Sequence, residues 1–152
     1  MKTISNDAEF KQALKDLEYY KQRELAGMFV QSVIGLCNDD RIRRVVKVAS
    51  DPEVTPDELT SALSTAKAAM LDCHTRCGAE GDWKQQAGYF VARAATSALT
   101  PEGQCRMGGP AWQAAMSSRM ACTSIKIHSE EQCPGDESAR QYRILSDYLN
   151  SQ

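Results

Sequence analysis

The stretch from Thr55 to Leu99 constrains this chain more than any other part of it. Thr55-Pro56-Asp57-Glu58 is a capping box with proline at the first helical position. The threonine oxygen suits the amide of Glu58, and the glutamate suits the free amide at the cap. Asp57 and Glu58 also put negative charge on the positive end of a helix dipole. Behind them Leu59, Ala62, Leu63, Ala66, Met70, Cys73 and Cys77 recur at steps of three and four. That period predicts one apolar stripe along a helix, with Gly78 as its left-handed terminator. Asp82, with Gln85 three residues on, starts a second helix. Its inner face is Trp83, Ala87, Phe90, Val91, Ala94, Ala95, Ala98 and Leu99, and Pro101 stops it. Trp83 and Phe90 are expected to fill the wider ends left by the alanines. A turn this short makes the two helices antiparallel neighbours.

The remaining segments supply helices that cover this pair. Asn6 or Asp7 caps a helix running to Tyr20, with Phe10, Ala13, Leu14 and Leu17 on one face. Leu25, Met28, Phe29, Val33, Ile34 and Cys37 keep the helical period on a rotated stripe. Either one bent helix or two helices broken near Lys21 to Glu24 would produce that rotation. Gly27 and Gly35 weaken a rigid helix there, or mark close helix contact. Asn38 or Asp39 caps the next helix, whose inner face is Ile42, Val45, Val46 and Ala49. After a glycine-containing loop, Glu102 to Gly109, Pro110 opens a helix carrying Trp112, Ala115 and Met116. Ile125-Lys126-Ile127-His128 alternates like a strand but has nothing to pair with. Cys133-Pro134-Gly135 reads as a turn, and Asp136 or Ser138 as the cap of a last helix facing inward through Tyr142, Leu145, Tyr148 and Leu149. The expectation is a single all-α domain over residues 1–152, an irregular bundle of six or seven helices.

Composition bounds what such a bundle does. A hydrophobic content of 42% and a charged content of 25% argue against disorder, and a net charge of −2 pulls the chain toward neither nucleic acid nor an anionic membrane. No apolar run reaches membrane-spanning length, and residues 1–10 lack the apolar core of a signal peptide. The expected location is the cytoplasm, where six cysteines stay reduced.

Three clusters bear on chemistry. Cys73 and Cys77 lie one helical turn apart with His74 between them, a spacing from which two sulfurs could face a metal or form a thiol centre. Cys105, Cys122, Cys133 and His128 could complete a zinc site, but none stands at the short spacing of a zinc knuckle. The competing reading makes Cys73 and Cys77 small core residues, since both fall on the apolar stripe. Cys122 with His128 offers a nucleophile pair without an orienting third group or an oxyanion hole. Gly108-Gly109-Pro110, with Arg106 nearby, resembles an anion-holding helix start but lacks the lysine and hydroxyl of a phosphate loop. No catalytic constellation emerges, and no cofactor is called for. Arg41, Arg43, Arg44 and Lys47 form the densest basic cluster, a phosphate-contacting face or a solvated one offset by Asp39, Asp40, Asp51 and Glu53. Tyr19 and Tyr20 are adjacent on a helix and cannot both enter one core. With Arg41, Arg43 and Arg44 they are the expected anchors for another protein.

The order of parts is similar to an all-helical family of bacterial immunity proteins associated with toxin systems. The similarity runs over about residues 25 to 149: Asp39-Asp40-Arg41, then Thr65-Ala66-Lys67-Ala68-Ala69, Tyr89-Phe90-Val91-Ala92-Arg93-Ala94-Ala95, Ala111-Trp112-Gln113-Ala114-Ala115 and the closing Arg140-Gln141-Tyr142-Arg143-Ile144-Leu145. Tyr142 stands where that family usually closes on tryptophan, and the family's middle histidines are missing. The resemblance implies a non-enzymatic protein that neutralises a cognate toxin or enzyme by binding it. It assigns no functional residue.

Overall fold

In a computed structural model the chain is described over residues 2–77, 83–105, 107–128 and 137–152, with Cys77, Ile127 and His128 described by backbone alone. These residues contain α1 (Asp7–Lys15), α2 (Tyr19–Ser32), a 3-10 turn (Ile34–Leu36), α3 (Asp40–Ser50), α4 (Pro56–Cys77), α5 (Trp83–Leu99), α6 (Gly109–His128) and α7 (Glu137–Asn150), and no strand. The fold is an all-α bundle.

The starts of α1, α3 and α4 follow from their caps. The Asn6 side chain accepts from the Glu9 amide at 2.9 Å, and Asp39 accepts from the Arg41 amide at 2.9 Å. Thr55 Oγ1 accepts from the Glu58 amide at 3.2 Å. The Glu58 carboxylate takes the Thr55 hydroxyl at 3.0 Å, so the return bond of this box runs to the hydroxyl. Gly78, Asp82, Asp136 and the Cys133-Pro134-Gly135 turn lie outside the described residues.

The helix break falls earlier than the Lys21 to Glu24 expected from the sequence. α1 ends at Lys15, Asp16 caps it through its own amide, and extended backbone at Glu18 starts α2. The change of direction lets α1 and α2 each keep a face on the core. Phe10, Leu14, Leu25 and Phe29 are all fully buried there, and the Phe10 and Phe29 rings are 5.6 Å apart. The rotated stripe is therefore two separate helices, each facing the core. The strand-like Ile125 to His128 continues α6, because the intrahelical hydrogen bonds carry on where no second strand offers a ladder.

α5 is the centre. A wide arc of its surface is buried: Ala87, Gly88, Val91, Ala92, Ala94, Ala95, Ala98 and Leu99. It packs against α2, α3, α4, α6 and the 3-10 turn. Its pairing with α4 is antiparallel, since Tyr89 stands 5.4 Å from His74 while the later Arg93 and Thr96 share a cleft with the earlier Met70. The more extensive contact, however, is α5 against α6. Ala111, Ala114, Ala115, Ser118 and Ala121 of α6 are fully buried, and small side chains on both helices permit close approach. Trp83 does not fill an end of the α4–α5 pair, being 40% exposed.

Candidate functional site

The two adjacent tyrosines at the start of α2 separate. Tyr19 turns inward and donates its hydroxyl to the Thr100 carbonyl, and burial pushes its pKa up to about 12. Tyr20 points outward and is 47% exposed. Helical periodicity then places Glu24 and Met28 on the Tyr20 side of α2. Met28 opens onto a groove of about 660 Å³ between α2, α3 and α7, with Val46, Ile144 and Tyr148 for walls and Gln31, Lys47, Ser50 and Asp147 around it. The Tyr148 hydroxyl donates to Glu24 at 3.0 Å, which fixes the ring beside the groove; burial first, then that bond, raises its pKa.

The basic residues of α3 do not act as one face. Arg41 is drawn to Asp39 at 2.7 Å and Asp72 at 2.8 Å. Arg43 donates to the Cys37 carbonyl at 3.2 Å. Arg44 lines the groove between α3 and α4, opposite Asp57 and Glu58, while Lys47 lines the groove with Met28.

A second concavity, about 680 Å³, is polar and lies where the 3-10 turn, the start of α3, the end of α4 and the start of α5 converge. Cys37 and Cys73 lie in its lining with Asp39, Arg41, Arg76 and Lys84. Both cysteines are buried and free. Cys37 and Cys73 line the cleft together and interact there, and Arg76 Nη2 donates to the Cys73 sulfur at 3.1 Å. The interaction with Cys37 and then the Arg76 guanidinium hold the Cys73 thiol well below the ordinary thiol range, against the opposing effect of burial. The interaction with Cys73, and then burial, push the Cys37 thiol far up. The Asp39 carboxyl is held low, chiefly by its hydrogen bond from Arg41.

Sequence spacing pairs Cys73 with Cys77 and His74; the fold pairs it with Cys37. His74 is exposed and its ring packs on Tyr89, and the Cys77 side chain lies outside the described atoms. Among the described residues no three ligand side chains converge as a metal site needs. A signal for Cys37 is present, since it continues the apolar stripe of α2, but nothing in its spacing names a partner 36 positions on. Of the candidate nucleophile pair, Cys122 is buried and its sulfur donates to Glu137 at 3.7 Å, while the His128 side chain is outside the description.

The double glycine at the start of α6 serves packing. Gly108 and Gly109 have φ of +96° and +85°, and a Cβ would meet the Trp112 side chain at 2.3 Å and Gln22 Oε1 at 2.5 Å respectively. Arg106, the cation read beside this start, lies outside the described residues. A buried polar cluster at the α6–α7 junction has no signature in the sequence. Glu137, 5% exposed, pairs with Arg140 and accepts from Ser32 at 3.0 Å. Gln141, fully buried, donates to the Ala115 carbonyl at 2.9 Å and accepts from Arg119 at 2.8 Å.

Compared with known proteins, the chain matches no family model, and neither a curated protein nor a solved structure matches it significantly. No helix among the described residues is long and apolar enough to cross a membrane.

Proposed function

We propose that this chain is a non-enzymatic binding protein of immunity or inhibitor type, which neutralises another protein by seating it on the α2–α3–α7 face. One observation carries the reading: an open apolar groove, walled by Met28, Val46, Ile144 and Tyr148, beside an outward-facing Tyr20. Partially exposed tyrosine and methionine beside a polar rim are the residue types that anchor protein partners. The rim carries both signs, Lys47 and Asp147, which suits a partner that inserts an apolar side chain between charges of either sign. The resemblance to immunity proteins points the same way.

The test uses the product of the reading frame next to this gene. The expected result is a stoichiometric complex in calorimetry and rescue of growth when both proteins are expressed. Met28→Lys and Tyr20→Ala should each weaken binding roughly ten-fold or more, with the helical circular dichroism unchanged. Tyr19→Phe should leave affinity alone and lower only the melting temperature. A complex whose affinity ignores both Met28→Lys and Tyr20→Ala would sink the assignment to this face.

A further inference from the structure

The polar cleft shares no lining residue with the groove, and its chemistry is of another kind. Two buried thiols interact in the lining of one open cleft, and an arginine donates to one of them. A pair buried only for packing would need neither the guanidinium at 3.1 Å nor the open cleft. We propose that Cys37 and Cys73 form a peroxide-reactive dithiol, in which Cys73 is the attacking sulfur and Cys37 resolves it as an intramolecular disulfide.

The chemistry balances in two steps. The Cys73 sulfur attacks one oxygen of hydrogen peroxide, the S–O bond forms and the O–O bond breaks. The departing hydroxide takes a proton and leaves as water, and Cys73 is oxidised by two electrons to a sulfenic acid. The Cys37 sulfur then attacks the Cys73 sulfur, the S–S bond forms and the S–O bond breaks. The hydroxyl leaves as water with the Cys37 proton. Overall two thiols and one peroxide become one disulfide and two waters. A cellular dithiol reverses the change by thiol–disulfide exchange, so the pair fits a reducing compartment as a transient state.

The roles follow from the geometry. Arg76, donating to the Cys73 sulfur at 3.1 Å, stabilises negative charge on it, the form that attacks. Arg41 is held by Asp39 and Asp72, so its charge is largely neutralised locally. Asp39 also faces the pair and opposes charge on both sulfurs, whereas Lys84 lines the cleft from the α5 side. Cys37 follows the 3-10 turn in extended backbone, just before the Asp39 cap, so its sulfur has freedom to close on Cys73 without dismantling a helix.

Reduced full-length protein is treated with near-stoichiometric hydrogen peroxide and mapped by peptide mass spectrometry. The expected product is a Cys37–Cys73 disulfide. Cys37→Ser should stop the reaction at a dimedone-reactive sulfenic acid on Cys73, and Cys105→Ser should behave as the parent. An arm that needs no variant follows iodoacetamide labelling of each cysteine across pH. Cys73 is expected to label roughly ten-fold faster than Cys105 at neutral pH, with a midpoint below the ordinary thiol value of about 8.5. Arg76→Ala should move that midpoint upward. A disulfide mapped to another pair, or Cys73 labelling no faster than Cys105, overturns the proposal. These outcomes do not depend on any protein partner, so they stand or fall separately from the binding reading.

Discussion

Asp39 has two tasks at once. Its side chain, 8% exposed, accepts the Arg41 amide to cap α3 and also receives the Arg41 guanidinium. The guanidinium bond lowers its carboxyl pKa in the folded state. The sign of the linkage is then settled: the ion contributes stability above the unfolded carboxylate value of about 3.9, and that contribution is lost as pH falls through the lower folded value. An asparagine at this position would still cap, so Asp39→Asn isolates the charge. It should cost about 1 kcal/mol near neutrality, discounted because Arg41 is a third exposed, and the two proteins should converge in urea stability once pH has fallen below the lowered folded value. A difference that persists undiminished in acid would show that the charge is not the cause. At this scale the caps are legible because a cap acts within three residues. The Cys37–Cys73 contact is not, because it joins two segments that meet only after α3 has folded back.

The elements are legible as periods, and the departures have local causes. Gly27 sits inside α2, where alanine would ordinarily add about 1 kcal/mol of helix stability. Here a Cβ would lie 2.2 Å from Ser50 Oγ, 3.2 Å from the Ser50 amide nitrogen and 3.3 Å from its Cβ. Helix α3 crosses α2 at this point, so the close contact wins over propensity. Gly27→Ala should destabilise the protein by about 1–2 kcal/mol in urea unfolding, and adding Ser50→Ala should recover much of that loss. A stabilised single variant would mean that α3 yields freely. Gly35, the other glycine of this region, has open space around its missing Cβ and marks no contact. Sequence alone does not separate the two, because both are glycines in a helical period. The position of the α1–α2 break escapes the sequence for the same reason: both sides of it are good helix, and only the meeting of Phe10 with Phe29 decides where the chain bends.

Across the whole molecule Arg119 ties the two chain ends to the bundle. It reaches Asp7 of α1 at 2.8 Å and Gln141 of α7 at 2.8 Å, and its guanidinium lies over the Phe10 and Tyr142 rings at 5.6 and 5.8 Å. Arg119→Ala removes the donor to a fully buried glutamine and the stacking surface together. It should cost about 2–3 kcal/mol and raise amide exchange in α1 and α7 before α4 or α5. Arg119→Lys should rescue little, because an ammonium lacks the forked donors that serve Asp7 and Gln141 together. Uniform exchange across all helices would argue that the chain ends are not separately held. The Met28 groove belongs to this scale as well. Its walls come from α2, α3 and α7, so truncations there test binding only if α7 stays docked.

What the amino-acid order determined by itself is the all-helical character, the caps of α1, α3 and α4 and the inward faces, because those depend on hydrogen bonds and side-chain spacing within a few residues. It also determined that Tyr19 and Tyr20 must part, since neighbours on a helix point about 100° apart. The tertiary structure alone decided that α5 and α6 make the most extensive contact, that Cys73 faces Cys37, and that Arg41, Arg44 and Lys47 have different surroundings. Those outcomes turn on which helix surfaces approach most closely. That choice is made by the packing of small side chains across the bundle, and no local period encodes it.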